Sequence, residues 1–156
     1  MLSQPKPEID LTINVVNVAD PAGGPTHLFS TAEAFQVSAN LKFRGLLAPA
    51  MVRQSMNYTI TYYYESIDGA SQGVLGTVGP SALIPDQFEY GPHQTALTVP
   101  ARELGPGTYK LAAQVSFGGG PSPIIAFDEG LIISISDRLP GDPTTDAPPP
   151  KPREGK

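Results

Sequence analysis

The sequence predicts an all-β domain: a single antiparallel sandwich of two sheets with about seven to eight strands. Three observations carry this. Strict alternation of apolar and polar side chains recurs along the chain, the pattern of strands with one buried and one wet face. Clusters of Gly and Pro separate these stretches, and 18 Pro with 16 Gly in 156 residues suit many short strands joined by turns. Helical i, i+3, i+4 spacing appears over no useful length.

The clearest strand follows the turn Gly105-Pro106-Gly107. Tyr109, Leu111, Ala113, Val115 and Phe117 share one parity, and Thr108, Lys110, Ala112, Gln114 and Ser116 the other. Phe35 to Phe43 alternates as cleanly, with Phe35, Val37, Ala39, Leu41 and Phe43 on the buried side. A third long strand buries Met56, Tyr58, Ile60, Tyr62 and Tyr64 and turns Asn57, Thr59, Thr61, Tyr63 and Glu65 outward. Asp68-Gly69 then signals a hairpin, and Val74 to Val78 reads as a short returning edge strand weakened by glycines.

Shorter elements complete the sandwich. Ile9 to Val15 alternates, and the phase slips at Val15-Val16; a bulge, a switch between sheets or an edge strand apolar on both sides each explain the slip. Asp20 to Pro25 is a turn cluster, followed by an apolar passage around Leu28 and Phe29. Gly45 to Ala50 reads as a break, and Ser81 to Pro92 as irregular. Thr95 to Val99 reads as a short strand with Leu97 and Val99 inward. Ile124 to Phe127 and then Leu131, Ile133 and Ile135 form the last strand, interrupted at Asp128-Glu129-Gly130 by an expected bulge.

The organisation is thus an extended arm over residues 1–8, a sandwich over 9–136 and a tail over 137–156. Six of the tail's twenty residues are Pro, and it has no aromatic or aliphatic β-branched residue. Such a segment buries too little surface to offset its ordering entropy and is expected to be extended, in part polyproline.

Composition excludes several classes. A net charge of −5 argues against nucleic acid, which needs clustered Lys and Arg. No apolar run approaches a membrane span, so no membrane insertion is expected. The first ten residues hold no apolar signal region; if Met1 is native, the chain is expected in the cytoplasm or in an assembly released from it. There is no cysteine, hence no disulfide, thiolate metal site or thiol nucleophile. His27 and His93 are too few for zinc, and Asp128-Glu129 and Asp86 with Glu89 lack the alternating ladder of a calcium loop. Gly118 to Gly120 precedes Pro121, not the Lys-Ser/Thr of a phosphate loop, and Ser122 has no His-Asp partners. No catalytic constellation and no cofactor are expected.

Two resemblances follow. Leu104-Gly105-Pro106-Gly107-Thr108-Tyr109 looks like a tyrosine corner, and over Ile9 to Ser136 the chain resembles the immunoglobulin and fibronectin type III superfamily. The resemblance implies an immunoglobulin-like sandwich whose Tyr109 hydroxyl bonds nearby backbone; the antibody Cys pair and core Trp are missing. More weakly, Phe29-Ser30-Thr31-Ala32-Glu33-Ala34-Phe35, and Leu97-Thr98-Val99-Pro100 ahead of Pro106-Gly107-Thr108-Tyr109, are similar to the sandwich domains of polysaccharide-exporting ABC transporters. That likeness implies binding of glycan ends, although this chain carries no ATPase domain.

The candidate interaction residues lie in two places. Tyr63, with Thr61 and Glu65 on its parity, suits protein contact or sugar stacking, since its ring adds apolar area with a polar tip; cross-strand packing is the plainer reading. Asn57-Tyr58-Thr59 fits a glycosylation sequon but lies mid-strand. In the tail, Pro148, Pro149, Pro150 and Pro152 around Lys151 suit an aromatic groove; a solubilising tail is the plainer reading. The expected role is a non-catalytic interaction domain, a structural or accessory subunit of a larger assembly with a protein partner or a second copy of itself. The alternative is a carbohydrate-binding module with a glycan ligand.

Overall fold

The alternating stretches become strands of two sheets in a computed structural model, which describes residues 10–20, 27–118 and 124–137. The arm and nearly all of the tail, including Pro148, Pro149, Pro150 and Pro152, lie outside the described residues. In chain order the elements are β1 (Asp10–Ala19), β2 (Leu28–Ser30), β3 (Phe35–Arg44), α1 (Ala48–Arg53), β4 (Asn57–Ser66), β5 (Gln72–Ala82), β6 (Glu89–Tyr90), α2 (Pro92–Thr95), β7 (Leu97–Val99), β8 (Gly107–Phe117) and β9 (Ile124–Ser136). In the first sheet β3 is flanked by β1 on one side and by β6 and β7 on the other. The second runs β2-β9-β8-β4-β5.

The second sheet is mixed, which corrects the expectation of antiparallel pairing throughout. Leu28, Phe29 and Ser30 pair parallel with Ser134, Ile135 and Ser136. The reason is topological. β2 and β9 come from opposite ends of the chain with six strands between them, so no hairpin joins them and the connection leaves either direction of pairing open.

The faces follow the alternation. Phe35, Val37, Ala39, Leu41 and Phe43 are all buried, and so are Tyr58, Ile60 and Tyr62 of β4 and Leu111, Ala113, Val115 and Phe117 of β8. Met56 and Tyr64 are only partly buried, at the rim of the core. Phe43 anchors an aromatic cluster with ring centroids 5.5 Å from both Phe117 and Phe88 and 6.2 Å from Tyr90. Burying each large side chain of this kind stabilises by roughly 1.5–3 kcal/mol, so these rows set which face of each sheet meets the core.

Two short helices stand where only breaks and a strand were expected. α1 follows Gly45 and carries Pro in its first turn, where a missing N–H costs nothing. It is too short to show a helical period. α2 holds Thr95, which therefore precedes β7 and does not belong to it. Thr95 is completely buried. It fills the gap on β3 between the residues paired with β6 and those paired with β7. There its Oγ1 accepts from the Ala39 N–H at 3.2 Å and donates toward the Ala39 carbonyl at 2.6 Å, with the Gly91 carbonyl at 3.1 Å. Tyr62, from the other sheet, donates its hydroxyl to the Thr95 carbonyl. This polar node ties the two sheets together through the core.

Register shifts match two of the phase breaks. β1 slips against β3 between Asn14 and Asn17. β9 slips against β8 at Gly130: Leu131 pairs with Leu111, whereas Glu129 pairs with Ala112. Gly130 sits at φ +129°, a region open to glycine and little else. A further slip, between Tyr62 and Tyr63 on β4, places Leu75 of β5 as the extra residue. At the start of β8, the Tyr109 hydroxyl donates to the Gly105 carbonyl at 2.8 Å and closes the preceding turn.

Candidate functional site

The outer face of the five-stranded sheet gathers the features that suit recognition. Its rows follow from register. Tyr63 of β4 pairs with Val74 on one side and Ala112 on the other, and Phe127 of β9 pairs with Gln114, one row along. Tyr63, Val74, Ala112 and Phe127 line one open groove of about 390 Å³, rimmed by Glu65, Gln72 and Lys110. Val74 is 52% exposed and Phe127 55%. Ile125 and Ile132, also on β9, are each 51% exposed.

The structure brings Tyr63 and Glu65 to the same groove. Tyr63 is half-buried, and its hydroxyl donates to Gln114 Oε1 at 3.3 Å, which fixes the ring against the sheet. Glu65 is exposed and opposite Lys110 in register, a favourable cross-strand charge pairing. Thr61 lies one row away, between Thr77 and Gln114, and does not line the groove. The proline candidates Pro148, Pro149, Pro150 and Pro152 are not among the described residues.

Sequence reasoning missed Val74 and Phe127. The signal for Phe127 was the bulge itself. One extra residue at Gly130 inverts parity, so Ile133 and Ile135 point inward below it while Ile125 and Phe127 point outward above it. Val74 needed the pairing of β5 with β4, which no local pattern states.

Other places on the surface gather less. Around the β4–β5 hairpin, Asp68 accepts from the Ser66 hydroxyl at 2.6 Å and the Ala70 N–H at 2.9 Å. These bonds, the Ser66 one foremost, hold its carboxyl below the usual range. This is turn chemistry: Gly69 N–H donates to the Ser66 carbonyl at 2.8 Å, and Ser71 N–H donates to the Ser66 hydroxyl at 2.9 Å. Glu89 does not join Asp86; its carboxylate meets Lys42 Nζ at 3.0 Å, an exposed pair worth at most about 1 kcal/mol. Among the described residues no three His, Asp or Glu side chains gather as metal ligands.

No protein-family model matches the chain, and no curated protein matches it. Among the described residues no helix is long and apolar enough to cross a membrane.

Proposed function

We propose that the chain is a non-catalytic interaction domain of immunoglobulin-like type that offers the outer face of its five-stranded sheet to a protein partner, as a structural or accessory subunit of a larger assembly. The observation that carries this is the exposed apolar band of Val74, Phe127, Ile125 and Ile132 beside the half-buried Tyr63. Clustered apolar side chains on an otherwise polar sheet face mark contact surfaces, and aromatic anchors dominate their energetics. The immunoglobulin-like reading draws support from two features. β1-β3-β7 in one sheet and β9-β8-β4-β5 in the other are compatible with the strand order of that fold, from which β6 departs by pairing with β3. Tyr109 lies at the start of the strand where a tyrosine corner belongs, bonded to the Gly105 carbonyl.

Photo-crosslinking from position 74 in the native cells tests the role. A discrete adduct of higher mass that disappears with Phe127→Asp is expected. No adduct, or one indifferent to Phe127→Asp, would overturn the reading.

A second reading is favoured by the polar rim. Tyr63 and Phe127 offer ring faces, and Glu65, Gln72 and Lys110 offer hydrogen-bonding groups around them, the combination a sugar needs. Binding on a glycan array that Tyr63→Ala abolishes would establish this reading in place of the first.

A further inference from the structure

The groove and the tail have complementary chemistry, and the fold sets them within reach of one another. We propose that the chain's own segment Pro149–Arg153 docks in the groove between Tyr63, Val74 and Phe127. The inference rests on the reading of that face as a protein-contact surface.

Three observations carry it. The first is the segment's pattern. Pro149 and Pro152 are three residues apart, the repeat of a polyproline II helix, so in that conformation they would share a face. Their rings fix φ, so little entropy is lost on docking, and grooves lined by aromatics take such faces. Tyr63 and Phe127 supply the aromatic lining, with Val74 and Ala112 between. The second is charge. Lys151 and Arg153 accompany the prolines, and the groove's rim holds Glu65, for which they would compete with Lys110, its cross-strand neighbour on the same rim.

The third is reach. β9 ends at Ser136, where the Thr31 N–H donates to the Ser136 carbonyl at 2.9 Å and anchors the root of the tail. Ile135 pairs with Gly107, and Tyr63 pairs with Ala112, so the groove lies five residues along β8 and two strands across. At about 3.4 Å per residue and 4.8 Å per strand, the path from Asp137 to the groove is about 25 Å. The twelve steps from Asp137 to Pro149 span about 37 Å when extended and about 19 Å as a flexible coil. The groove falls between these limits. Pro140-Gly141-Asp142 supplies turn chemistry for the reversal that this path needs. A tether of this length holds the segment at an effective concentration on the millimolar scale, which outside ligands must overcome.

The experiment uses the full-length chain labelled with 15N, compared with a full-length Pro149→Gly/Pro152→Gly variant. These substitutions lie in the tail and leave the sheets untouched. Expected are different amide positions at Val74, Lys110 and Ala112 between the two proteins, unchanged on dilution. A synthetic peptide of residues 146–156 added to the variant restores the wild-type positions, and it binds the wild-type chain roughly tenfold more weakly than the variant. Coincident spectra overturn the proposal. So do differences that fade on dilution while light scattering reports a doubled mass, since the occupant is then a second copy. So do differences confined to residues away from the groove. A failure here leaves the crosslink from position 74 as the separate judge of the contact surface itself.

Discussion

Replacing Thr95 by Val keeps the shape of the side chain and removes its hydroxyl. At a site with no solvent exposure, that hydroxyl serves both the N–H of Ala39, at 3.2 Å, and its carbonyl, at 2.6 Å. The two groups face the gap between β6 and β7, so no neighbouring strand replaces the lost partner. A buried polar group left unpaired costs about 1–3 kcal/mol. Two of them place the expected loss for Thr95→Val at about 3–4 kcal/mol, a large share of the 5–15 kcal/mol typical of a domain. For a domain of this size that lowers Tm by about 10 °C. Urea unfolding followed by far-UV circular dichroism reads the loss directly, with the slope unchanged if only stability has moved. Thr95→Ser is the control. It keeps the hydroxyl, loses one methyl and should cost only about 1 kcal/mol. If Thr95→Val costs no more than Thr95→Ser, the hydroxyl bridge is not what holds α2 against β3, and the reasoning fails.

Three other outcomes are expected. Burial raises the hydroxyl pKa values of Tyr58, Tyr62, Tyr90 and Tyr109, so their neutral forms stabilise the fold fully below the unfolded value of about 10; that contribution is lost as pH climbs through the raised folded values, and a tyrosinate absorbance titration of native protein should lag behind that of the urea-unfolded chain. Gly79→Ala should lose at least about 2 kcal/mol by urea unfolding, because Gly79 sits at φ +93° and a Cβ there would lie 2.6 Å from the Tyr58 carbonyl oxygen. Tyr109→Phe removes the bond to the Gly105 carbonyl and should cost about 1 kcal/mol in the same assay, with a loss below about 0.3 kcal/mol assigning the closure of that turn to packing alone.

What the sequence made legible was whatever depends on local period. In β3 and β8 each apolar residue of the alternating row is buried, because a two-residue repeat leaves a strand only one way to face the core. The Asp68-Gly69 hairpin was legible for the same local reason. β5 was harder. Gly73, Gly76, Gly79 and Pro80 are poor strand formers, yet β5 extends from Gln72 to Ala82 because it pairs with β4 from Glu65 back to Asn57. Thr95 showed nothing of its role, since a hydroxyl that replaces a strand has no signature of its own. Half of the candidate site was visible: Tyr63 and Glu65 came from parity, whereas Phe127 needed the bulge to be carried through and Val74 needed a partner strand.

The parallel seam between β2 and β9 has a bearing on load. The last residues of β9 lie between β8, antiparallel, and β2, parallel. A pull applied at Asp137 runs along the strand axis, across both ladders at once. Hydrogen bonds loaded in that direction are sheared together, whereas a peeled strand loses them one at a time. A molecule tethered through its C-terminal segment therefore passes traction into the short parallel ladder with β2 and the long antiparallel ladder with β8 together.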